Sequence, residues 1–453
     1  MLVLCAFSYI MAQNSLFFRE SDEKFVTLLK YNKQKQRDII IVDGIKKIGK
    51  STLIKNRIQH ASHVWLDLNK DRVILKEIEA SHSFSEFQDI LSIRYHFIPN
   101  TGLILVIDGA HESKIIGSYI AQMKELWQNQ TVILIVSNIS LLLRERIKEL
   151  DPYIVRHTVM PLSFAEFLVA TGENYLHDQL ANWNIAKPFT DTLHTRALEV
   201  LENYLNIGGI PTVVESYLNG QSWNDFFVAY FFDYVAEYKS LHGEERANLF
   251  EESLRKTAQS LGMPSKLTTI IPSLKRNYRS VSELFFFLEQ LGLVYKIPLK
   301  SPAEKKESGK TSKIPPKRYL CDHGIRDHFN QLPLKLLSSL YTNTRTPKGF
   351  IKGILENFVL CELKARGLRD AISWRQKING SEISFIIKTS TNFIPIDIRP
   401  SPKTNKKFFS SLQACMSEMA LNQSVLFSAD KGRVIEFDKQ RILQVPFYCV
   451  AKL

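Results

Sequence analysis

Residues 38–51 read DIIIVDGIKKIGKS, and this stretch decides the fold. Ile39 to Val42 form a short continuous apolar run of the kind buried on both faces of a parallel sheet. The next eight residues, Gly44-Ile45-Lys46-Lys47-Ile48-Gly49-Lys50-Ser51, satisfy G-x-x-x-x-G-K-[ST]. A helical stretch, STLIKNRI, follows at once. Strand, glycine-bearing loop and helix in that order make a phosphate-binding loop. The glycines let the backbone wrap phosphates, and the loop amides and helix N-terminus face their negative charge. Lys50 is placed to reach the β- and γ-phosphates and Ser51 to hold Mg²⁺. Gly44, Lys47, Ile48, Gly49 and Thr52 complete the expected cradle, and ATP and Mg²⁺ are the implied cofactors.

Three further apolar runs follow: HVWLDL at 63–68, GLILVID at 102–108 and TVILIVS at 131–137. The intervals 51–60 and 113–127 are long enough for crossover helices. Short apolar strands alternating with helices predict an α/β domain with helices on both faces of a parallel sheet. Asp108 ends the third run and is expected to be the magnesium-side (Walker B) acid; the competing reading is a helix-capping Asp after a strand. The next residues are Gly109, Ala110, His111 and Glu112. Glycine cannot accept a proton, so Glu112 or His111 becomes the candidate for handling the attacking water. Ser137 and Asn138 follow the fourth strand, where a polar side chain can sense the γ-phosphate. Arg144, Arg146 and Arg156 are candidate basic contacts that spacing does not fix.

Beyond the run PLSFAEFL at 161–168 the pattern becomes helical. TRALEVLENYLNIGGI stops at Gly208-Gly209, and a new helix starts at Pro211. The aromatic stretch FFVAYFFDYVAEY at 226–238 reads as a packing helix. Residues 252–298 give three short helices and a strand, the order of a winged helix. Residues 299–318 carry six Lys, one Arg and two Glu, a local charge of 7 − 2 = +5 out of the chain's +13. They read as a mobile loop, either solvated or in contact with a phosphate backbone. KRYLCDHGIRDHF predicts a strand and a tight turn at Asp322 and Gly324. From about 350 the chain returns to α/β, with a helix and the runs AISWRQ, SEISFIIK, NFIPIDIR, QSVLFSA and ILQVPFYCV. Trp65, Trp127 and Trp374 read as core or interface residues.

The whole chain of 453 residues is 45% hydrophobic and 23% charged, which excludes wholly disordered, collagen-like and coiled-coil classes. The basic excess favours anionic partners. Five cysteines lie far apart without a Cys-x-x-Cys pair, which argues against a disulfide framework and for a reducing compartment, the cytoplasm. MLVLCAFSYIM at 1–11 is too short for a membrane span and has no basic residue before it, so no membrane association is expected. Met1 and Met11 are both open as the start.

The ordered stretches DGIKKIGKSTLI, LILVIDGAHE, VILIVSNISLLL, MPLSFAEFL, NIGGIPTVVESYL, KRYLCDHGIRDHF, KGILENFVLCEL and SEISFIIK together resemble prokaryotic AAA-type ATPases, in which an AAA_14 domain precedes a DUF4143 domain. That resemblance implies a P-loop ATPase of AAA type, a helical and winged-helix middle, and a small restriction-endonuclease-like α/β domain at the C-terminal side. It matches Lys50 and Ser51 to the family's phosphate and magnesium residues and Asp108 to its Walker B Asp. It departs at Gly109, where the family has Glu, and at YIVRHTVMPLSF, which lacks the Gly-Arg before the P-L-S-F element. The family's nuclease-like pattern corresponds to Glu356, Glu382, Ser384, Asp397 and Arg399. A serine stands where a metal-binding Asp is expected and an arginine where a lysine is, so cleavage is not expected.

The resulting expectation is a division at 1–170, 171–250, 251–320 and 321–453: ATPase, helical lid, winged helix with basic loop, and a catalytically degenerate α/β domain. The function expected is ATP binding with weak Mg-dependent hydrolysis coupled to conformational change or a protein partner. The alternative is a non-catalytic nucleic-acid-associated adaptor, contacting DNA through the winged helix or basic loop. Nothing in the sequence fixes the oligomeric state.

Overall fold

The computed structural model describes residues 19, 23, 25–27, 29, 39–127, 130–143, 154–270, 278–300, 314–330, 335, 348–368, 370–376, 380–389, 392–401 and 409–452. The choice of start residue, Arg144, Arg146 and most of the basic loop lie outside the described residues. The chain divides into two compact units, 1–160 with 290–292 and 161–289 with 293–453.

The first unit is a five-stranded parallel sheet. Its strands are β1 (Ile39–Asp43), β2 (His63–Asp67), β3 (Ile104–Asp108), β4 (Thr131–Ile135) and β5 (Ile154–Thr158), in the spatial order β2-β3-β4-β1-β5. The apolar runs end up here because strands covered on both faces need no polar alternation: β1, β3 and β4 are buried almost throughout. The crossovers are α1 (Lys50–Ile58), α2 (Arg72–Glu79), α3 (Phe84–Tyr95), α4 (Ile116–Leu126) and α5 (Ile139–Leu143). Asp71 caps α2 and Ser83 caps α3 through their side-chain oxygens. Phe84, Phe87, Tyr119 and Trp127 fill one core against Ile107, Leu134 and Val136. All five strands run the same way, so Asp43, Asp67 and Asp108 finish at one edge, the carboxyl edge where ligands of such sheets bind.

The second unit opens with a capping box. Ser163 accepts from the Glu166 amide and Glu166 accepts from the Ser163 amide, which starts α6 (Phe164–Ala170) directly after Pro161. Five more helices follow: α7 (Asn174–Ala181), α8 (Asp191–Ile207), α9 (Pro211–Leu218), α10 (Trp223–His242) and α11 (Ala247–Gln259). The aromatic stretch is core, as expected: Phe227, Tyr230, Phe231, Tyr234 and Tyr238 of α10 are buried. Next come α12 (Leu267–Ile270), α13 (Tyr278–Gln290) and the antiparallel pair β6 (Val294–Ile297) with β8 (Lys317–Leu320). Asp322 opens α14 (His323–Asn330), so the expected turn is the start of a helix. The Asp322 carboxylate accepts from the Gly209 amide at 2.6 Å and the Gly324 amide at 2.9 Å.

A seven-stranded mixed sheet completes the unit. Its strands are β7 (Leu299–Lys300), β9 (Ala371–Arg375), β10 (Glu382–Lys388), β11 (Phe393–Arg399), β12 (Gln423–Ser428), β13 (Arg433–Phe437) and β14 (Gln440–Pro446), ordered β13-β14-β12-β11-β10-β9-β7. Helix α15 (Lys348–Ala365) and helix α16 (Ser410–Met419) accompany it. The ends of the basic stretch are not loop. Leu299 and Lys300 pair in the sheet, and Lys317 and Arg318 are buried in β8. The charge of Lys317 misled the reading because the acids packed against it, Glu356 and Glu382, neutralise it. Strand β13 was not anticipated; its alternation of exposed and half-buried residues suits an edge.

Several motifs of the ordered set have structural roles. The Phe164 amide of PLSF donates to Glu362 of LCEL at 2.8 Å, and the Leu320 amide donates to Asn357 of LENF at 2.7 Å. GGIP and CDHG meet through Asp322. No helix among the described residues is long and apolar enough to cross a membrane.

Candidate nucleotide site and an ionic cluster

The loop between β1 and α1 is shaped by residues outside the usual backbone range. Gly44 has φ 143°, and a Cβ there would lie 2.4 Å from the Val159 carbonyl oxygen, so only glycine fits against β5's exit. Lys47, exposed on the loop, has φ 57°. No side chain caps α1, unlike α2 and α3, so its first amides are left facing the loop. Ile48 is buried and roots the loop, and its carbonyl accepts from Arg19 at 3.2 Å. Thr52 is exposed on the first turn of α1.

Lys50 is buried, and its ammonium is drawn into the loop. It donates to the Gly44 carbonyl at 2.8 Å, the Ile45 carbonyl at 2.7 Å and Ser137 Oγ at 3.3 Å. Burial lowers its pKa to about 8, against the opposing pull of Asp108 and Asp43. Ser51 Oγ donates to Asp108 Oδ2 at 2.6 Å. Burial raises the Asp108 carboxyl, and the Ser51 hydrogen bond works against that. A hydroxyl and a carboxylate oxygen at that separation are hard donors suited to Mg²⁺, which takes one or two protein oxygens and keeps several waters. The donor set therefore fits the ion that the motif implies.

The other expected residues are placed differently. Asn138 is buried, and its Oδ1 accepts from the amides of Ser140 at 3.0 Å and Leu141 at 3.4 Å, capping α5. Ser137, one residue earlier, is the group that meets Lys50. Glu112 lies in the short 3₁₀ turn Ala110–Glu112 and is paired with Arg72 at 2.9 Å. His111 is buried beside it, and burial lowers its pKa to about 4. Arg156 sits in β5. Two residues that spacing did not single out complete the edge: Asn69 Nδ2 donates to Asp108 Oδ1 at 3.3 Å and to Asp67 Oδ1 at 3.4 Å. The available signal was Asp67 at the end of the second apolar run, where parallel strands align.

In the second unit the nuclease-like residues do come together. Glu356 of α15, Ser384 of β10 and Asp397 of β11 are all buried. Ser384 Oγ lies 2.7 Å from Glu356 Oε1 and 3.1 Å from Asp397 Oδ1. Ammonium groups take up the negative charge. Lys352 Nζ is 3.4 Å from Asp397 and 3.5 Å from Glu356, and Lys317 Nζ is 3.4 Å from Glu356 and 2.5 Å from Glu382. Arg399 pairs with Asp397 at 2.7 Å, Arg375 pairs with Glu382, and Tyr319 donates to Glu356 at 2.8 Å. Burial raises the Asp397 carboxyl, but Lys352 and Arg399 pull it below the usual range on balance. Among the described residues no group of three or more His, Cys, Asp or Glu could hold a metal ion. In this cluster Glu356 and Asp397 converge on Ser384 Oγ, and their charge is taken up by the surrounding lysines and Arg399.

A family match covers the first site. Residues 36–168 match the AAA_14 family, described as an AAA domain. Residues 36–168 are an AAA domain. Residues 198–336 match a different family, a domain of unknown function numbered DUF8612, in place of the DUF4143 domain that the resemblance implied. An uncharacterized protein of Methanocaldococcus jannaschii is 22% identical over 203 residues, and the match spans 41% of each chain. Among solved structures, a Walker-type ATPase of Pyrococcus abyssi is similar at 14% identity, covering 69% of this chain and 96% of that one, with a TM-score of 0.42. RuvB of Thermotoga maritima is similar at 17% identity, covering 62% and 91%, with a TM-score of 0.31.

The AAA domain also has a physical reason for lacking a glutamate after Asp108. Gly109 has φ 78°, and a Cβ there would lie 2.7 Å from the Asn69 side-chain amide. Any residue with a Cβ is strained at that φ, and the Asn69 side chain would have to turn aside for it.

Proposed function

We propose that the AAA domain binds Mg·ATP through Lys50, Ser51 and Asp108 and hydrolyses it slowly, coupling nucleotide state to a change of conformation or to a protein partner. The single observation that supports this most is the Ser51–Asp108 contact of 2.6 Å beside an ammonium held by loop carbonyls. Phosphate oxygens can replace those carbonyls around Lys50, and Ser51 and Asp108 would hold Mg²⁺, which would neutralise charge on the phosphates. Gly44, Lys47, Ile48, Gly49 and Thr52 form the backbone cradle in this reading. A reducing compartment, the cytoplasm, suits the buried free thiols of Cys321, Cys361, Cys415 and Cys449. The test is calorimetric titration with Mg·ATP of the wild type and Lys50→Ala, with phosphate release followed in the same samples. Binding that is lost in Lys50→Ala supports the reading; a wild type that takes up no nucleotide overturns it.

A second reading gives the middle of the chain a nucleic-acid contact. Helices α12 and α13 followed by the β6/β8 pair keep the order of a winged helix, and α13 exposes Tyr278, Arg279 and Phe286. Duplex binding that weakens steeply with salt and is reduced in Arg279→Ala supports it, whereas salt-independent or absent binding removes it.

A further inference from the structure

We propose that Asp67 is the carboxylate that orients the attacking water at the nucleotide site, in place of the glutamate that Gly109 cannot supply, and that Asn69 is its positioning residue. The inference rests on the ATP-hydrolysing reading above and names the missing part of it.

Parallel pairing sets Asp67 directly beside Asp108, each the last residue of its strand. Neighbouring residues in register on parallel strands project to the same side, so both carboxylates reach the same edge. Asn69 bridges them, and its amide lies over Gly109. The residue whose side chain lies over position 109 therefore also holds the carboxylate next to Asp108. The Asp67 side chain is 25% exposed, and its pair with Lys70 at 3.5 Å is to a lysine 84% exposed. Such a surface pair yields readily to another partner.

The other acids of the edge are less well placed. Glu112 is held by Arg72. Asp43 ends β1, which β4 separates from β3. His111 is buried, with Nδ1 unpartnered, and is kept neutral by its surroundings. In the step proposed, Asp67 accepts a hydrogen bond from a water whose oxygen bonds to the γ-phosphorus. The bond from that phosphorus to the bridging oxygen breaks with its electron pair on ADP, and the water's proton leaves to solvent. ATP and water become ADP and phosphate.

The experiment compares Asp67→Asn, Asn69→Ala and Glu112→Gln with the wild type in the full chain, each checked for unchanged thermal unfolding. Mg·ATP affinity is read by calorimetry, single-turnover cleavage by phosphate release, and the nucleotide retained after gel filtration by chromatography. Asp67→Asn is expected to bind Mg·ATP within about 3-fold of the wild type, to cleave it about 100-fold more slowly, and to emerge carrying ATP where the wild type carries ADP. Asn69→Ala is expected to lower the cleavage rate by about 10-fold at unchanged affinity. Should Asp67→Asn lower thermal stability, Asp67→Glu, which keeps the charge, is expected to retain binding with slowed cleavage. Wild-type cleavage in Asp67→Asn, or cleavage lost in Glu112→Gln alone, overturns the assignment. Binding lost in Asp67→Asn as in Lys50→Ala also overturns it, because Asp67 is then a binding residue. A wild type that binds without cleaving removes Asp67's role and leaves ATP binding intact. One that does not bind removes both.

Discussion

Replacing Glu356 by glutamine tests whether the cluster in the second unit is an ionic core. Glutamine keeps the shape and turns one acceptor oxygen into a donor. Whichever way the amide faces, its NH₂ meets an ammonium that can only donate, Lys317 on one side or Lys352 on the other, and the Tyr319 or Ser384 hydroxyl must turn to accept. Breaking a buried ion pair by changing one partner costs about 3–5 kcal/mol, since a charge is left uncompensated. Both lysines keep a second carboxylate, Glu382 for Lys317 and Asp397 for Lys352, which places the expected loss at the low end, ~3 kcal/mol. For a unit of roughly 290 residues that corresponds to a fall in melting temperature of about 5 °C. Scanning calorimetry of the full chain measures it, and Lys317→Met in both backgrounds closes a double-mutant cycle. A loss below ~1 kcal/mol, or Lys317→Met costing the same with and without Glu356, refutes the ionic core, because surface pairs alone give such values.

Three further expectations follow from contacts described above. Gly44→Ala forces a Cβ against the Val159 carbonyl, so it should destabilise the AAA domain by about 1–3 kcal/mol in calorimetry and weaken nucleotide binding as the loop shifts. Gly109→Glu should not raise ATP turnover and should lower the melting temperature. Adding Asn69→Ala should recover part of that stability loss, an interaction read as non-additivity in the same scans. Asp322 gives a pH signature. Burial raises its pKa to about 6, so between the ordinary carboxyl value near 4 and about 6 the folded state binds more protons than the unfolded one. The stability it contributes is full below ~4 and lost as pH rises through ~6, on the order of 2–3 kcal/mol. Wild type minus Asp322→Asn, measured by urea unfolding from pH 4 to 7, should show that slope; a flat difference contradicts it.

The first unit was legible in its sequence because both of its determinants are local. Continuous apolar runs mark strands covered on two faces, and the phosphate loop binds its anion with contiguous backbone. The place of Asp108 at the sheet edge could be expected from its position at the end of an apolar run. Asn69 and Asp67 could not, because their relation to Asp108 depends on which strands are neighbours and in what register. Asn138 was read as facing the nucleotide when helix α5 required a cap just there. In the second unit, Glu356, Ser384 and Asp397 were found by pattern, while Lys317 was hidden. A lysine in a run of lysines reads as solvated, and only the acids packed against it show otherwise.

The path of the chain through Pro298 limits how that region can move. One residue separates β6, in the two-stranded pair, from β7, at the border of the large sheet, and Lys317 ties the opposite strand to Glu356 and Glu382. Among the described residues Pro298 is the whole covalent link between β6 and β7. The two-stranded pair is thus tethered covalently on one strand and electrostatically on the other. Any force delivered to it passes straight into β9 and α15, and their amides should exchange with solvent as one cooperative block.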